Sequence, residues 1–410
     1  LSRPRAAALV LTPGRSPALR VVSMKAANSR RHCCARTAPL FLFSILLTVS
    51  CGGDGPPTES LADRGQEHAQ IAWFEGDIEG AFALARSEGK PLFLYWGAEW
   101  CPPCHYLKKK IFVRPEFVAR MRNFVPVYLD GDTARAQILG EKLQVMGYPT
   151  VIIFDPTGRE VMRMPSTVPV EQYETVLDSA IASMRPVKEI LSDVLASGPA
   201  SASQSDLNLL AFYSWGQDSQ VELPLAERVA AFERLYSEIP DELAIERSRF
   251  LGLYLMSLAE QQRRDESPAS ALSAEQRSAL QVEIETVLAD ARQRNVNLLW
   301  ILYYAEDIVS LLHPEDTPAR SELLTTWAEA ADLLERDASL SVDDRLNATR
   351  LELEMARLRT TDPETYSVSV ELQQHARAQA AWAMETVKDE SELQSVVNTL
   401  AYLLEDADLG

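Results

Sequence analysis

Beginning at about residue 66, the chain alternates between two hydrophobic patterns. "DIEGAFALARSEG" sets apolar residues at helical spacing behind a capping Asp77, whereas "KPLFLYWG" is a short, unbroken apolar and aromatic run of the strand type. A basic amphipathic helix reaching about Met121 follows, then the strand "FVPVYLD", the helix "ARAQILGEKLQV" and the strand "GYPTVIIFD". "DPTG" has turn chemistry and "REVMRM" reads as a returning strand, so residues 150 to 164 predict a β-hairpin. "VEQYETVLDSAIASM" supplies a closing helix. The order is β-α-β-α-β-β-α behind an N-terminal helix, an α/β core of about 120 residues.

Beyond residue 190 the pattern carries no strand. "SGPASASQS", residues 197 to 205, reads as a loop, and helical periodicity then dominates in "LAERVAAFERLYSEI", "SAEQRSALQVEIETVLADARQR" and "VNLLWILYYAEDIVSLL". Thr317-Pro318 and Asp362-Pro363 have the form of an N-cap followed by a first-turn proline, and Ser273 with Gln276 that of a capping box. About ten helices with short connections predict an antiparallel helical array. No 34-residue spacing of Trp, Leu-Gly and Tyr marks a regular tetratricopeptide solenoid.

The first 50 residues read as an upstream extension and an export signal. After Met24, the expected start, comes a basic patch (Lys25, Arg30, Arg31, Arg36) and then the 13-residue apolar run "APLFLFSILLTVS". That run is short for a bilayer span and suits the apolar region of a secretory signal, with an uncleaved anchor as the alternative. "TVSCGGDG" resembles a bacterial lipoprotein processing site, which makes Cys51 a lipid attachment point and 51–65, with "GGDGPPTES", a flexible tether. Thr48 stands where such sites usually carry Leu, so an ordinary cleaved signal stays open. The expected location is exported, on the periplasmic side of a bacterial membrane.

At 410 residues the chain is long enough for two or three domains. Eight of its 40 Lys and Arg precede Cys51, where no Asp or Glu occurs, leaving 32 basic against 59 acidic residues and a net charge of −27. Such a surface repels phosphate backbones and disfavours nucleic acid as a partner. Of five cysteines, Cys33 and Cys34 leave with a signal and Cys51 carries lipid, so Cys101 and Cys104 remain as a pair without a disulfide framework around them.

That pair lies in "GAEWCPPCHYLKKK". A Cys-x-x-Cys at a helix N-terminus is a redox switch: unpaired N–H groups and the helix dipole favour a thiolate on the first cysteine, and the second sits within one turn for attack. The strand "LFLYWG", a short loop and a helix bearing Lys108, Lys109 and Lys110 supply that setting, and Pro102 and Pro103 suit a helix entry. The rivals are an inert reduced pair and zinc. A structural zinc site needs four ligands, and only His105 nearby and the distant His68 are offered, so no metal and no cofactor is expected.

"KPLFLYWGAEWCPPC", followed by "GYPTVIIFDPTGREV", resembles the thioredoxin superfamily, with the C-terminal thioredoxin-like domain of the disulfide interchange protein DsbD nearest in texture. The resemblance covers about residues 66 to 185. It implies Cys101 as the attacking thiolate, Cys104 as the resolving thiol, Trp100 as a shield presenting the pair, and Pro149 as a cis-proline whose neighbour Tyr148 pairs through its backbone with a substrate chain. Two positions depart. Tyr95 stands where many thioredoxins have a buried Asp, and Lys108 where the DsbD domain has a Glu, which leaves Glu99 and His105 as the local titratable groups.

The fold class is thus an α/β thioredoxin-like domain (66–185) followed by an all-α array (190–410). In the array His313 and His375 read as isolated, and Trp300, Tyr303 and Tyr304, at i, i+3 and i+4, read as core. The expected activity is thiol–disulfide exchange, leaning towards reductase, with protein disulfide or dithiol clients, a redox recycling partner and a membrane contact through lipid. The alternative is a helical binding scaffold with a sensing or structural thioredoxin-like appendage.

Overall fold

The computed structural model describes residues 70–164, 170–218, 223–264, 272–360, 366–388 and 390–409. The export signal, Cys51, the tether 51–65 and Asp362-Pro363 lie outside them.

Helix α1 (Ile78–Glu88) begins where Asp77 Oδ1 accepts the Gly80 N–H at 2.8 Å, and it stops at Gly89, whose φ of 64° is left-handed. Strand β1 (Leu92–Gly97) is buried at every position, as its unbroken apolar run requires. It lies at the centre of a four-stranded sheet, parallel to β2 (Val125–Asp130) and antiparallel to β3 (Thr150–Phe154), and β3 pairs with the antiparallel edge strand β4 (Glu160–Met164). The period-2 alternation of a strand sorts β1 onto two cores. Leu92 and Leu94 join Ile78, Ala81 and Ala85 of α1 on one face; Phe93 and Tyr95 face the other, with Cys101, Cys104 and Phe117.

The expected continuous helix after the cysteine pair is in fact broken. Helix α2 (Pro102–Tyr106) continues as a π-helical turn over Leu107–Ile111, and a separate α3 (Pro115–Met121) starts only after a turn. Pro115 has no N–H to donate backwards and biases its predecessor away from the helical region; Arg114 accordingly has ψ 132°. Helix α4 (Ala134–Leu143), the β3–β4 hairpin and α5 (Val170–Ser183) complete the α/β layer as the pattern indicates.

The rest is helical: α6 (Val187–Ser197), α7 (Gln204–Ala211), α8 (Leu225–Glu238), α9 (Ala244–Arg264), α10 (Ala274–Ala289), α11 (Ala291–Val296), α12 (Leu298–Tyr303), α13 (Ala305–Leu312), α14 (Pro318–Arg336), α15 (Val342–Leu358), α16 (Val370–Thr386) and α17 (Glu390–Asp406). Two of the long periodic segments split, at Asp290, which caps α11, and at Tyr304, so helices are more numerous than periodicity alone suggests. Residues 197–205 are not merely a loop: they contain a 3₁₀ turn, Pro199–Ser201, and the Ser203–Asp206 capping box of α7. The Ser273–Gln276 capping box and the Thr317 cap before Pro318 are present. Trp300 is buried against Trp327, whereas Tyr303 is 36% exposed.

One hydrophobic cluster runs from Phe93 through Tyr173 of α5, Ile190 of α6 and Phe250 of α9 to Trp327 of α14. The edge of the sheet is covered by the helical region as well. The Ser214 N–H donates to the Arg163 carbonyl of β4 at 3.0 Å. The fully buried Arg163 guanidinium pairs with Glu160 at 2.6 Å and donates to the carbonyls of Leu143, Gln144 and Gln217. An open strand edge invites pairing with another chain, and here the helical region supplies a backbone donor to that edge. At the opposite end of the sequence, α17 packs on α15 and α16 and also against α2, and Lys110 of the following π-helical turn stands 3.9 Å from Glu392.

Candidate functional site

Cys101 is the N-cap of α2, with extended backbone (φ −89°, ψ 109°). It is joined to Cys104 in a disulfide with 5.2 Å between the two Cα atoms. Its Sγ accepts the Cys104 N–H at 3.2 Å, the bond that would steady a negative sulfur once the pair is reduced. Cys104 is fully buried and Cys101 is 2% exposed, so both sulfurs lie beneath the surface.

Beneath the pair, the Tyr95 hydroxyl donates to the Cys104 carbonyl at 3.3 Å. Burial, with Tyr128 and Glu99 adding to it, pushes the Tyr95 phenol far above its ordinary value. It is therefore a fixed donor at neutral pH and does not replace a carboxylate as a proton acceptor. Lys108 rises from the π-helical turn to reach Glu99 Oε1 at 2.8 Å and the Tyr128 hydroxyl at 3.3 Å, with its ammonium 4.6 Å over the Tyr128 ring. Burial works to lower the Lys108 ammonium, and the hydrogen bonds to Glu99 and Tyr128 outweigh it, so the group is held above its ordinary value. The same Lys108 bond lowers the Glu99 carboxyl. The His105 ring places Nε2 2.6 Å from the Glu99 carbonyl. Glu99, His105 and Lys108 thus form one polar group around the entrance to α2.

On the facing side, Trp100 is 63% exposed, and its ring lies edge-on to Tyr148 with centroids 5.2 Å apart. Asp132, in the turn between β2 and α4, joins them: Oδ2 accepts the Trp100 indole N–H at 2.7 Å and Oδ1 accepts the Tyr148 hydroxyl at 3.2 Å. Gln137 donates to the Tyr148 hydroxyl at 3.2 Å. The Tyr148–Pro149 peptide is cis and leads directly into β3. Next to Asp132, a Cβ at Gly131 would stand 2.3 Å from both Trp96 Nε1 and a Tyr148 ring carbon, so close ring packing requires glycine there.

Of the residues singled out from the motif, Cys101 is joined to Cys104, and Trp100, next in sequence to Cys101, meets Tyr148, which leads through a cis peptide into Pro149. Sequence reasoning missed Asp132, Gly131, Gln137 and Tyr128. The one signal for Gly131 and Asp132 was the turn composition of "DGDT", which marks a loop without saying what the loop holds; Tyr128 lies in β2 and Gln137 in α4. It also missed α17, which lies nearly 300 residues downstream of the helix it touches.

Residues 78–181 match the family profile described as "Thioredoxin-like domain". They form a thioredoxin-like domain bearing a Cys-x-x-Cys pair. Among individual proteins, the chain is 36% identical over 81 residues to the thiol:disulfide interchange protein DsbD of Cronobacter sakazakii, covering 19% of this chain and 14% of that one. It is 30% identical over 130 residues to thiol:disulfide interchange protein DsbD 2 of Pseudomonas aeruginosa, covering 28% and 22%. The chain thus spans less than a quarter of the length of these relatives. Among solved structures, a thioredoxin from Thermus thermophilus aligns at 22% identity and a TM-score of 0.25, over 33% of this chain and 94% of that one.

Proposed function

We propose that this protein is an exported thiol–disulfide oxidoreductase that reduces protein disulfides through Cys101 and Cys104. The observation that carries the reading is the Cys101–Cys104 disulfide at the start of α2, with the Cys104 N–H directed at the Cys101 sulfur. In the reduced protein the Cys101 thiolate attacks one sulfur of a client disulfide. The client S–S bond breaks, the departing sulfur takes up a proton, and a mixed disulfide forms. The Cys104 thiolate then attacks Cys101 Sγ, the second client sulfur leaves, and two electrons have passed from the pair to the client. A dithiol partner returns the pair to its reduced state.

Trp100 and Tyr148 flank the pair, and Asp132 holds both side chains, which supports a role in presenting the client chain beside Pro149. Cys51 is the proposed lipid anchor and the periplasmic side of a bacterial membrane the proposed location. Among the described residues no helix is long and apolar enough to cross a membrane.

Insulin reduction driven by a chemical reductant tests the activity: turnover by the wild type that is lost in Cys101→Ser supports it, and no turnover by either protein favours the helical scaffold reading. The potential of the pair sets the direction. A value near the about −270 mV of thioredoxin supports a reductase, and one near the about −120 mV of a strong oxidant overturns that direction. The helical region, whose α17 packs against α2, is the proposed element of client selection.

A further inference from the structure

Helices α14, α15 and α16 each send one side chain with a ligating atom to a common point: Glu335 from the last turn of α14, Glu352 from α15 and His375 from α16. His375 therefore is not the isolated residue its sequence position suggests. Its Nε2 is 2.9 Å from Glu335 Oε2 and 3.5 Å from Glu352 Oε2, and ligating atoms of the three residues all lie within 4.8 Å of one another. Three donors bound about 2.0–2.1 Å from one tetrahedral ion stand about 3.3 Å apart, close to the two separations from His375 Nε2.

The surroundings match what a metal ligand requires. Glu335 is 5% exposed, and its carboxylate is fixed from outside the cluster: Thr349 Oγ1 donates to Oε2 at 2.7 Å and Gln379 Nε2 to Oε1 at 2.6 Å. Outer hydrogen bonds of this kind orient ligating carboxylates. Charge is the second argument. Two carboxylates share one imidazole, and even a protonated His375 leaves the trio at −1, in a partly desolvated setting where unbalanced charge is costly. Of the neighbouring arginines, Arg336 pairs with Asp332 at 2.6 Å, and Arg345 lies 4.0 Å over the Trp382 ring and donates to the Glu335 backbone carbonyl at 2.5 Å.

We propose that Glu335, Glu352 and His375 bind one divalent transition-metal ion of the zinc type, with water in the remaining coordination, as a clasp across three helices. The ion takes the lone pair of His375 Nε2, and the proton otherwise shared with Glu335 is released or moves to Nδ1. An imidazole donor favours zinc-like ions over magnesium or calcium, which prefer an all-oxygen shell.

The test uses tag-free, chelator-treated protein with Cys101 and Cys104 oxidised, so that their sulfurs cannot ligate. Zn²⁺ is titrated against a chromophoric chelator. The wild type is expected to bind one equivalent, with affinity lowered about 10-fold or more in Thr349→Val and stoichiometric binding lost in Glu352→Gln and His375→Ala. Zn²⁺ should also raise the Tm of the wild type and leave that of Glu352→Gln unmoved, while Mg²⁺ should move neither. Absence of stoichiometric binding by the wild type, or equal affinity in wild type and Glu352→Gln, overturns the proposal. Glu352→Gln preserves side-chain volume and decides the matter should His375→Ala fail to fold.

Discussion

The indole N–H of Trp100 donates to Asp132 Oδ2 at 2.7 Å, across a gap of 32 residues in sequence. Because the other carboxylate oxygen holds the Tyr148 hydroxyl, one side chain sets the spacing of the two rings that flank the cysteine pair. Asp132→Ala should free both rings, raising KM for a protein disulfide and lowering kcat/KM by about 3- to 10-fold, the scale of one charge-assisted hydrogen bond at an exposed site. A small-molecule disulfide, which needs no docking, should be reduced at close to the wild-type rate. Steady-state kinetics with the two substrates checks the difference.

Cys101 should be the reactive thiol of the reduced pair. Its Sγ receives a backbone N–H and heads α2, whereas Cys104 is fully buried. Iodoacetamide should label Cys101 first, with a pH midpoint below the about 8.5 of a free cysteine. Labelling of Cys101 no faster than an unfolded peptide would remove the physical basis for the exchange reaction.

Arg163 ties the sheet edge to the helical region from a fully buried position. Arg163→Ala should strand Glu160 and three carbonyls and cost about 3–5 kcal/mol, the range for removing one partner of a buried pair. Urea unfolding followed by circular dichroism measures this loss. A change below about 1 kcal/mol would mean that the edge is held by packing alone.

Asp206 predicts how stability changes with pH. Burial raises its carboxyl, but the hydrogen bonds from Ser183 and Ser203 and the nearby Arg185 outweigh burial and leave it below the ordinary Asp value. A depressed folded value stabilises the protein above the unfolded value of about 3.9 and loses that contribution as pH falls through the folded value. Asp206→Asn should therefore be less stable than wild type at pH 7, with the gap narrowing in acid below about pH 3.9. Denaturation midpoints across that pH range check the sign.

Much of the α/β half was legible because its signals are local. The unbroken run of β1, the Asp77 cap, the turn residues of "DPTG" and the spacing of Cys101 and Cys104 each depend on neighbours a few residues away, and the structure follows them. The helical identity of the second half was legible for the same reason, through period and caps such as Ser273. Where a local rule ran against the pattern, as at Pro115, the chain broke a helix that periodicity alone would have continued.

Side-chain partners across long sequence gaps were decided only by the fold. The meeting of Asp132 with Trp100, of α17 with α2, and of Glu335, Glu352 and His375 on three helices depends on how elements pack, and no periodicity encodes that. Amino-acid order by itself determined which segments are helix or strand and where the cysteine pair lies. Tertiary packing decided what surrounds the sulfurs and which distant charges share a pocket, because contact energies act through space once the backbone has folded.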